Sequence, residues 1–241
     1  MASRVMRYCP RPRKMTLPPS ARFTPYRAVS LEKVTLVYGA TRALGGLSLT
    51  FEAGQVTTLE GPNGAGKSSL LGVISTLLRP TQGRVRWGDL RLPDDRAAVC
   101  ASLGLVAHAS LVYPDLTPRE SLGLLARLHS LDAPDAAAAR ALEEHHLGAL
   151  ADRPARTFSR GQLQRLALAR AALHDPCLYL FDEPTTGLDP GAVARLERFI
   201  EGLKAREKIV VLVTHDLAFA SRVADRRVGL ERGRIRSDVR R

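Results

Sequence analysis

The chain has 241 residues, 45% hydrophobic and 25% charged, which suits one large α/β domain or two small ones around a real core and excludes disorder throughout. Its formal net charge of +12 is concentrated at the ends: residues 1–30 hold seven basic and no acidic residues, residues 222–241 eight basic and three acidic, and the stretch between is balanced, so the surplus reads as two basic tails, solvated or resting on anionic lipid or nucleic acid. No apolar run approaches the roughly 20 residues that span a bilayer, and Cys9, Cys100 and Cys177 lie too far apart for a C-x-x-C metal or redox pair, as suits a reducing cytoplasm.

Residues 1–30, broken by Pro10, Pro12, Pro18, Pro19 and Pro25, lack the apolar stretch of a secretory signal and read as a flexible basic arm. A single domain over 31–241 follows. Short apolar or β-branched runs there alternate with helical ones: "VTTLE" then a helix from Lys67, "CLYLF" then a helix after Pro190, "IVVLV" then a helix from Asp216. That alternation predicts a parallel sheet covered by helices. From about 109 to 174 the chain is rich in Leu and Ala without convincing strands, which predicts a helical insert.

The first chemistry-bearing segment is "GPNGAGKSS", Gly61, Pro62, Asn63, Gly64, Ala65, Gly66, Lys67, Ser68 and Ser69. It fits the GxxxxGK[ST] pattern behind a strand and ahead of a helix. Glycines there let backbone N–H groups curl around phosphate oxygens, a lysine brings charge to the β/γ-phosphates, and a serine hydroxyl can ligate Mg²⁺. Further on, Ser159, Arg160, Gly161 and Gln162 open a second helix whose N-terminus is another seat for an anion. The buried-strand run "CLYLFDEP" then delivers Asp182 and Glu183 at a strand's carboxyl end. Adjacent carboxylates cannot point the same way, so Asp182 is assigned to Mg²⁺ and Glu183 to orienting and deprotonating an attacking water. His215, just past "IVVLV", is the candidate γ-phosphate sensor.

The order of these segments, "GPNGAGKS", "FSRGQ", "LYLFDEP", "TTGLD" and "VTHD", resembles the ATP-binding cassette (ABC) family from Leu31 to about Ile235. The resemblance implies a P-loop NTPase fold of α/β class, an ABC-type nucleotide-binding domain with an inserted helical subdomain and a small antiparallel β subdomain. It implies ATP and Mg²⁺ as ligands, Tyr38 stacking on adenine, and Asp189 in a loop that meets the opposite subunit. It further implies an ATP-dependent dimer with itself or a second cassette, Ser159 of each copy reaching the nucleotide held by the other. The expected partners are transmembrane permease subunits, with the cassette peripheral on the cytoplasmic face of the membrane and no nucleic acid.

Two positions depart from the family pattern. Arg160 stands where a first glycine is usual, and His108 replaces a glutamine that senses Mg²⁺ and the membrane partner; histidine can hold a metal or its water only while neutral. With "YPDLTPRESL" after it, the His108 segment resembles the ATPases of bacterial heme exporters of cytochrome c maturation. Export of drugs, lipids or polysaccharides is the alternative, as is a soluble cassette acting on ribosomes or nucleic acid, or a phosphate-loop kinase. Leu111, Val112 and Tyr113 are candidates either for docking the membrane subunit or for the core of the insert.

Overall fold

A computed structural model describes residues 25–107 and 111–241. In chain order the elements are β1 (Ala28–Tyr38), β2 (Thr41–Glu52), β3 (Val56–Glu60), α1 (Lys67–Ile74), β4 (Gln82–Trp87), α2 (Arg96–Ala101), β5 (Leu103–Val106), α3 (Pro118–Leu128), α4 (Pro134–Glu144), α5 (Arg160–Ala172), β6 (Leu178–Asp182), α6 (Pro190–Ala205), β7 (Ile209–Val213), α7 (Leu217–Val223), β8 (Arg226–Glu231) and β9 (Arg234–Arg240). The three strand-then-helix units expected from the sequence are β3–α1, β6–α6 and β7–α7.

Two sheets share the main core. One is antiparallel, in the order β2-β1-β4; β1 turns Val29, Leu31, Val34 and Leu36 inward while its intervening residues face outward, as a half-buried strand does. The other runs β5-β6-β7-β3-β8-β9, parallel except for β9. Its inner strands β3, β6 and β7 are buried up to their last residues because both faces are covered, with Thr57 and Thr58 of β3 the polar exceptions among their buried positions. All five residues of β7 are buried.

The helical insert is present as α3, α4 and two short 3-10 turns, joined to the sheet by α5. One side of α5 places Leu166 and Ala169 in the insert's own core with Leu122, Leu142 and Leu147. Another places Ala167, Leu168 and Ala171 against Phe181 and Leu212 of the sheet. The insert is therefore tied to the sheet through α5. Its first helix is started by a capping box: Thr117 Oγ1 accepts from Glu120 N at 3.2 Å, and Glu120 Oε2 accepts from Thr117 N at 2.9 Å.

Three expectations need correction. The arm does not extend to residue 30: β1 starts at Ala28, Tyr26 is buried with its hydroxyl 3.0 Å from Ser102 Oγ, and Arg27 pairs with Glu207 at 2.9 Å. The expected arm over 1–24 lies outside the described residues. The basic C-terminal stretch is no tail either. It forms the antiparallel ribbon β8–β9, where Arg226 grips Asp238 with two bonds of 2.7 and 2.6 Å and donates to Thr50 O of β2 at 2.6 Å. Arg227 pairs with Glu60, and Arg236 with Glu231; a run of basic residues on a strand meets acids on its neighbours, which linear charge counting cannot see. Lastly, Val112 is buried in the insert's core, while Leu111 and Tyr113 are exposed, so only those two remain surface residues.

Candidate functional site

Strand β3 ends at Glu60, and the chain then curls through Gly61 (φ 139°), Gly64 (φ 78°) and Gly66 (φ 102°) into α1. Side chains rarely adopt these angles, and at Gly61 and Gly66 space forbids them as well. A Cβ on Gly61 would lie 2.1 Å from Leu230 O, and one on Gly66 2.6 Å from Ala43 O. Gly66 caps α1 without a side-chain hydrogen bond, so the first N–H groups of the helix are left to a ligand. Lys67, itself buried, donates from Nζ to Gly61 O at 2.6 Å and Pro62 O at 3.0 Å. The ammonium is thereby held against the loop it serves. Pro62, Asn63, Gly64 and Ser68 are exposed on the loop, Ser69 is half-buried, and Ala65 packs into the core.

The parallel strands β6, β7 and β3 deliver their carboxyl ends to one edge of the sheet. The carboxylate strand is not the immediate neighbour of β3, because β7 lies between them. Asp182 closes β6 opposite Val213. Glu183 then takes the left-handed conformation (φ 51°) while its N–H donates to Val213 O at 2.9 Å; this turn separates the two adjacent carboxylates as their different roles require. Glu183 Oε2 accepts from His215 N at 3.1 Å, and Oε1 lies 3.3 Å from His215 Nε2. That Oε1 is buried and makes no hydrogen bond within the described residues. A cavity of about 290 Å³ opens beside it, lined also by Arg160, Gln164 and Thr186.

The second anion seat lies elsewhere. Helix α5 packs against β5 at the outer edge of the sheet, three strand spacings from β3, or about 14 Å. Phe158 anchors it in the insert's core. Ser159 Oγ accepts from Gln162 N at 3.3 Å and Gln162 Oε1 accepts from Ser159 N at 2.9 Å, so the serine is a helix cap in this chain whatever else it touches. A Cβ on Gly161 would meet nothing within 4 Å, leaving open space over the helix start. Arg160 lies across Gly187, whose Cβ would sit 2.8 Å from the guanidinium Nε. Asp189 Oδ1 accepts from Ala192 N at 2.8 Å and caps α6.

Tyr38 is exposed at the β1–β2 turn, and His108 lies outside the described residues. Sequence reasoning missed Gln164, whose Nε2 donates to Pro184 O at 3.0 Å and ties α5 to the loop after Glu183. Its only signal was its position on the face of α5 one turn beyond Arg160.

The donor set fits a nucleotide with Mg²⁺: a loop whose glycines hold positive φ, a lysine folded against it, an exposed hydroxyl at Ser68, and Asp182 with Glu183 at the same sheet edge. Among the described residues no group of three or more His, Cys, Asp or Glu residues is arranged to hold a metal.

Comparison with known proteins follows the same line. The family described as ABC transporter matches residues 44–186. The chain is 34% identical over 221 residues (91% of this chain, 64% of the relative) to the Nod factor export ATP-binding protein I of Neorhizobium galegae. It is 40% identical over 192 residues (79% and 82%) to the cytochrome c biogenesis ATP-binding export protein CcmA of Gluconobacter oxydans, and 39% identical over 203 residues (78% and 54%) to the molybdenum import ATP-binding protein ModC of Mycobacterium tuberculosis. The chain thus spans less than two thirds of the first and third relatives. Among solved structures, a dimeric ATP-binding cassette, MJ0796, in a post-hydrolysis state with ADP and Pi superposes with a TM-score of 0.78 at 28% identity, covering 88% of this chain and 98% of that one.

Proposed function

Since the chain belongs to the ABC transporter family as one of its ATP-hydrolysing cassettes, we propose that it powers export of a small molecule through separate membrane subunits, from the cytoplasmic face. No helix of the described residues is long and apolar enough to cross a membrane, in keeping with a cassette that borrows its channel. The observation that carries the reading is Glu183: a carboxylate fixed by His215 N at 3.1 Å, whose second oxygen is buried and makes no hydrogen bond among the described residues, on a residue that lines a cavity. Such an oxygen is placed to accept a proton from water.

The residues divide the work. The backbone N–H groups of 63–66 and Lys67 hold the β- and γ-phosphates, and Tyr38 offers a face for the adenine. Ser68 and Asp182, with His108, would hold Mg²⁺, which when bound neutralises charge building on the phosphate oxygens. His215 orients Glu183 from one side and reads the γ-phosphate from the other. Ser159, Arg160, Gly161 and Gln162, with Asp189, serve the nucleotide of a second copy, because on their own chain they lie strands away from Lys67. Leu111 and Tyr113 are the surface offered to the membrane subunit.

The relatives named for export, at 34% and 40% identity, support that direction, and the one named for cytochrome c biogenesis supports heme as the cargo. An import relative at 39% marks the competing direction, which transport into inside-out vesicles decides. The test of the chemistry is phosphate release by the purified chain with Mg²⁺ and ATP. Glu183→Gln should lower turnover by about 10²–10⁴-fold while ATP binding persists; a variant that hydrolyses at the parent rate would overturn the role of Glu183.

A further inference from the structure

A basic concavity lies away from the nucleotide site. It is a cavity of about 470 Å³ between the C-terminal end of α1, strand β4 and the segment leading to α2. Helix α1, eight residues or about 12 Å long, separates it from Lys67. Its apolar lining includes Val73, Leu78, Val85 and Trp87, and Trp87 is fixed by an indole N–H donated to Ile74 O at 3.2 Å. Five arginines line it as well: Arg79, Arg84, Arg86, Arg91 and Arg96.

The arginines are not neutralised by the fold. Glu32 takes Arg84 at 2.6 Å and Arg86 at 3.2 Å, sharing one carboxylate between two guanidinium groups. Asp95 is engaged by a backbone N–H, that of Arg91, at 2.8 Å. Arg79, Arg91 and Arg96 have no carboxylate within ion-pair distance among the described residues, and every Asp and Glu of the chain lies among those residues. Elsewhere Arg226 and Arg227 of the β8–β9 ribbon, and Arg27, do find acids. Like charges crowded against apolar walls are unfavourable unless an anion joins them.

We infer that this cavity binds a phosphate-bearing amphiphile. Three unpaired guanidinium groups present more N–H donors than a single carboxylate can accept, and their planar forks match phosphate oxygens. The apolar walls take a hydrocarbon part that inorganic phosphate lacks, and the volume lies within the usual range for a small-molecule site. Leu92, an exposed lining residue, extends the apolar surface outward. An anionic phospholipid headgroup and a soluble phosphate ester share this chemistry.

Trp87 is the only tryptophan of the chain, so its emission reports on this cavity and not on the phosphate loop. The full chain is titrated with dihexanoyl phosphatidylglycerol, its phosphatidylcholine counterpart and glycerol 3-phosphate. Phosphatidylglycerol should shift the emission saturably and phosphatidylcholine should not. A matching response to glycerol 3-phosphate, which has no hydrocarbon part, overturns an amphiphile, and a weaker response or none supports it. Arg79→Glu/Arg91→Glu should raise the half-saturating concentration at least about tenfold, the milder Arg96→Gln should weaken it in the same direction, and Lys67→Ala should leave it unchanged. An equal response to phosphatidylcholine, no response to any probe, or arginine variants that titrate like the parent overturns the inference. So does a double variant that keeps the titration but loses a co-purifying membrane protein, which assigns these arginines to protein docking.

Discussion

At Gly61 a missing side chain decides whether the phosphate loop exists. Its φ of 139° and the Leu230 carbonyl 2.1 Å from where a Cβ would be leave no room for alanine. Gly61→Ala should therefore cost at least about 2 kcal/mol of stability, read as a lowered midpoint of thermal unfolding, and should abolish ATP binding even in the fraction that folds. Gly161→Ala meets nothing within 4 Å and should leave stability nearly unchanged; equal losses at the two glycines would sink the argument. The loop glycines, Lys67, Asp182 and Glu183 were all legible in the sequence because each motif residue is local to one strand end. His215 was legible as a residue past a strand, but its grip on Glu183 was not, since it depends on β6 and β7 being neighbours.

Among the elements, α5 carries two duties that a single substitution can separate. Ser159 caps the helix through Gln162 N, and aspartate caps as well as serine. Ser159→Asp should hold stability within about 0.5 kcal/mol while ending ATP turnover, because its charge would face a γ-phosphate. Turnover at the parent rate would reduce Ser159 to a cap. The far end of α5 makes a different junction. His174, just beyond it, stacks on His129 at the end of α3 with centroids 3.8 Å apart. His174 Nε2 lies 3.2 Å from Leu103 O, and Nδ1 is buried without a hydrogen-bond partner among the described residues.

Burial first, then the neighbouring His129, lowers the pKa of His174 to about 3, with Asp175 opposing and Lys208 adding to the shift; burial lowers His129 too, and His145 to about 4. Below its ordinary value near 6.5 the unfolded chain gains a proton that the folded chain refuses, so stability is full above that pH and falls as the solution is acidified. For His174 this is on the order of 2 kcal/mol between pH 7 and 5. Calorimetric melts of His174→Phe should show a shallower pH dependence than the parent, and an unchanged slope would refute it. Nothing in the sequence marked this stack. The two histidines are 45 positions apart, and only the insert's packing on the sheet brings them together.

Across the whole molecule, the strand order β5-β6-β7-β3 was the part least readable in advance. Periodicity identified strands and the helices between them, but the position of β7 between the two motif-bearing strands is a matter of topology, and the ribbon β8–β9 was hidden behind its basic composition. That order also separates the phosphate loop from the start of α5 on every copy, with a genetic consequence. Lys67→Ala and Ser159→Asp, each inactive alone, should complement when the proteins are mixed. A hybrid pair collects both lesions in one pocket and keeps the other whole, so an equimolar mixture should recover about a quarter of the parent activity. The chain bearing both changes can rescue neither and should poison each parent copy with which it pairs.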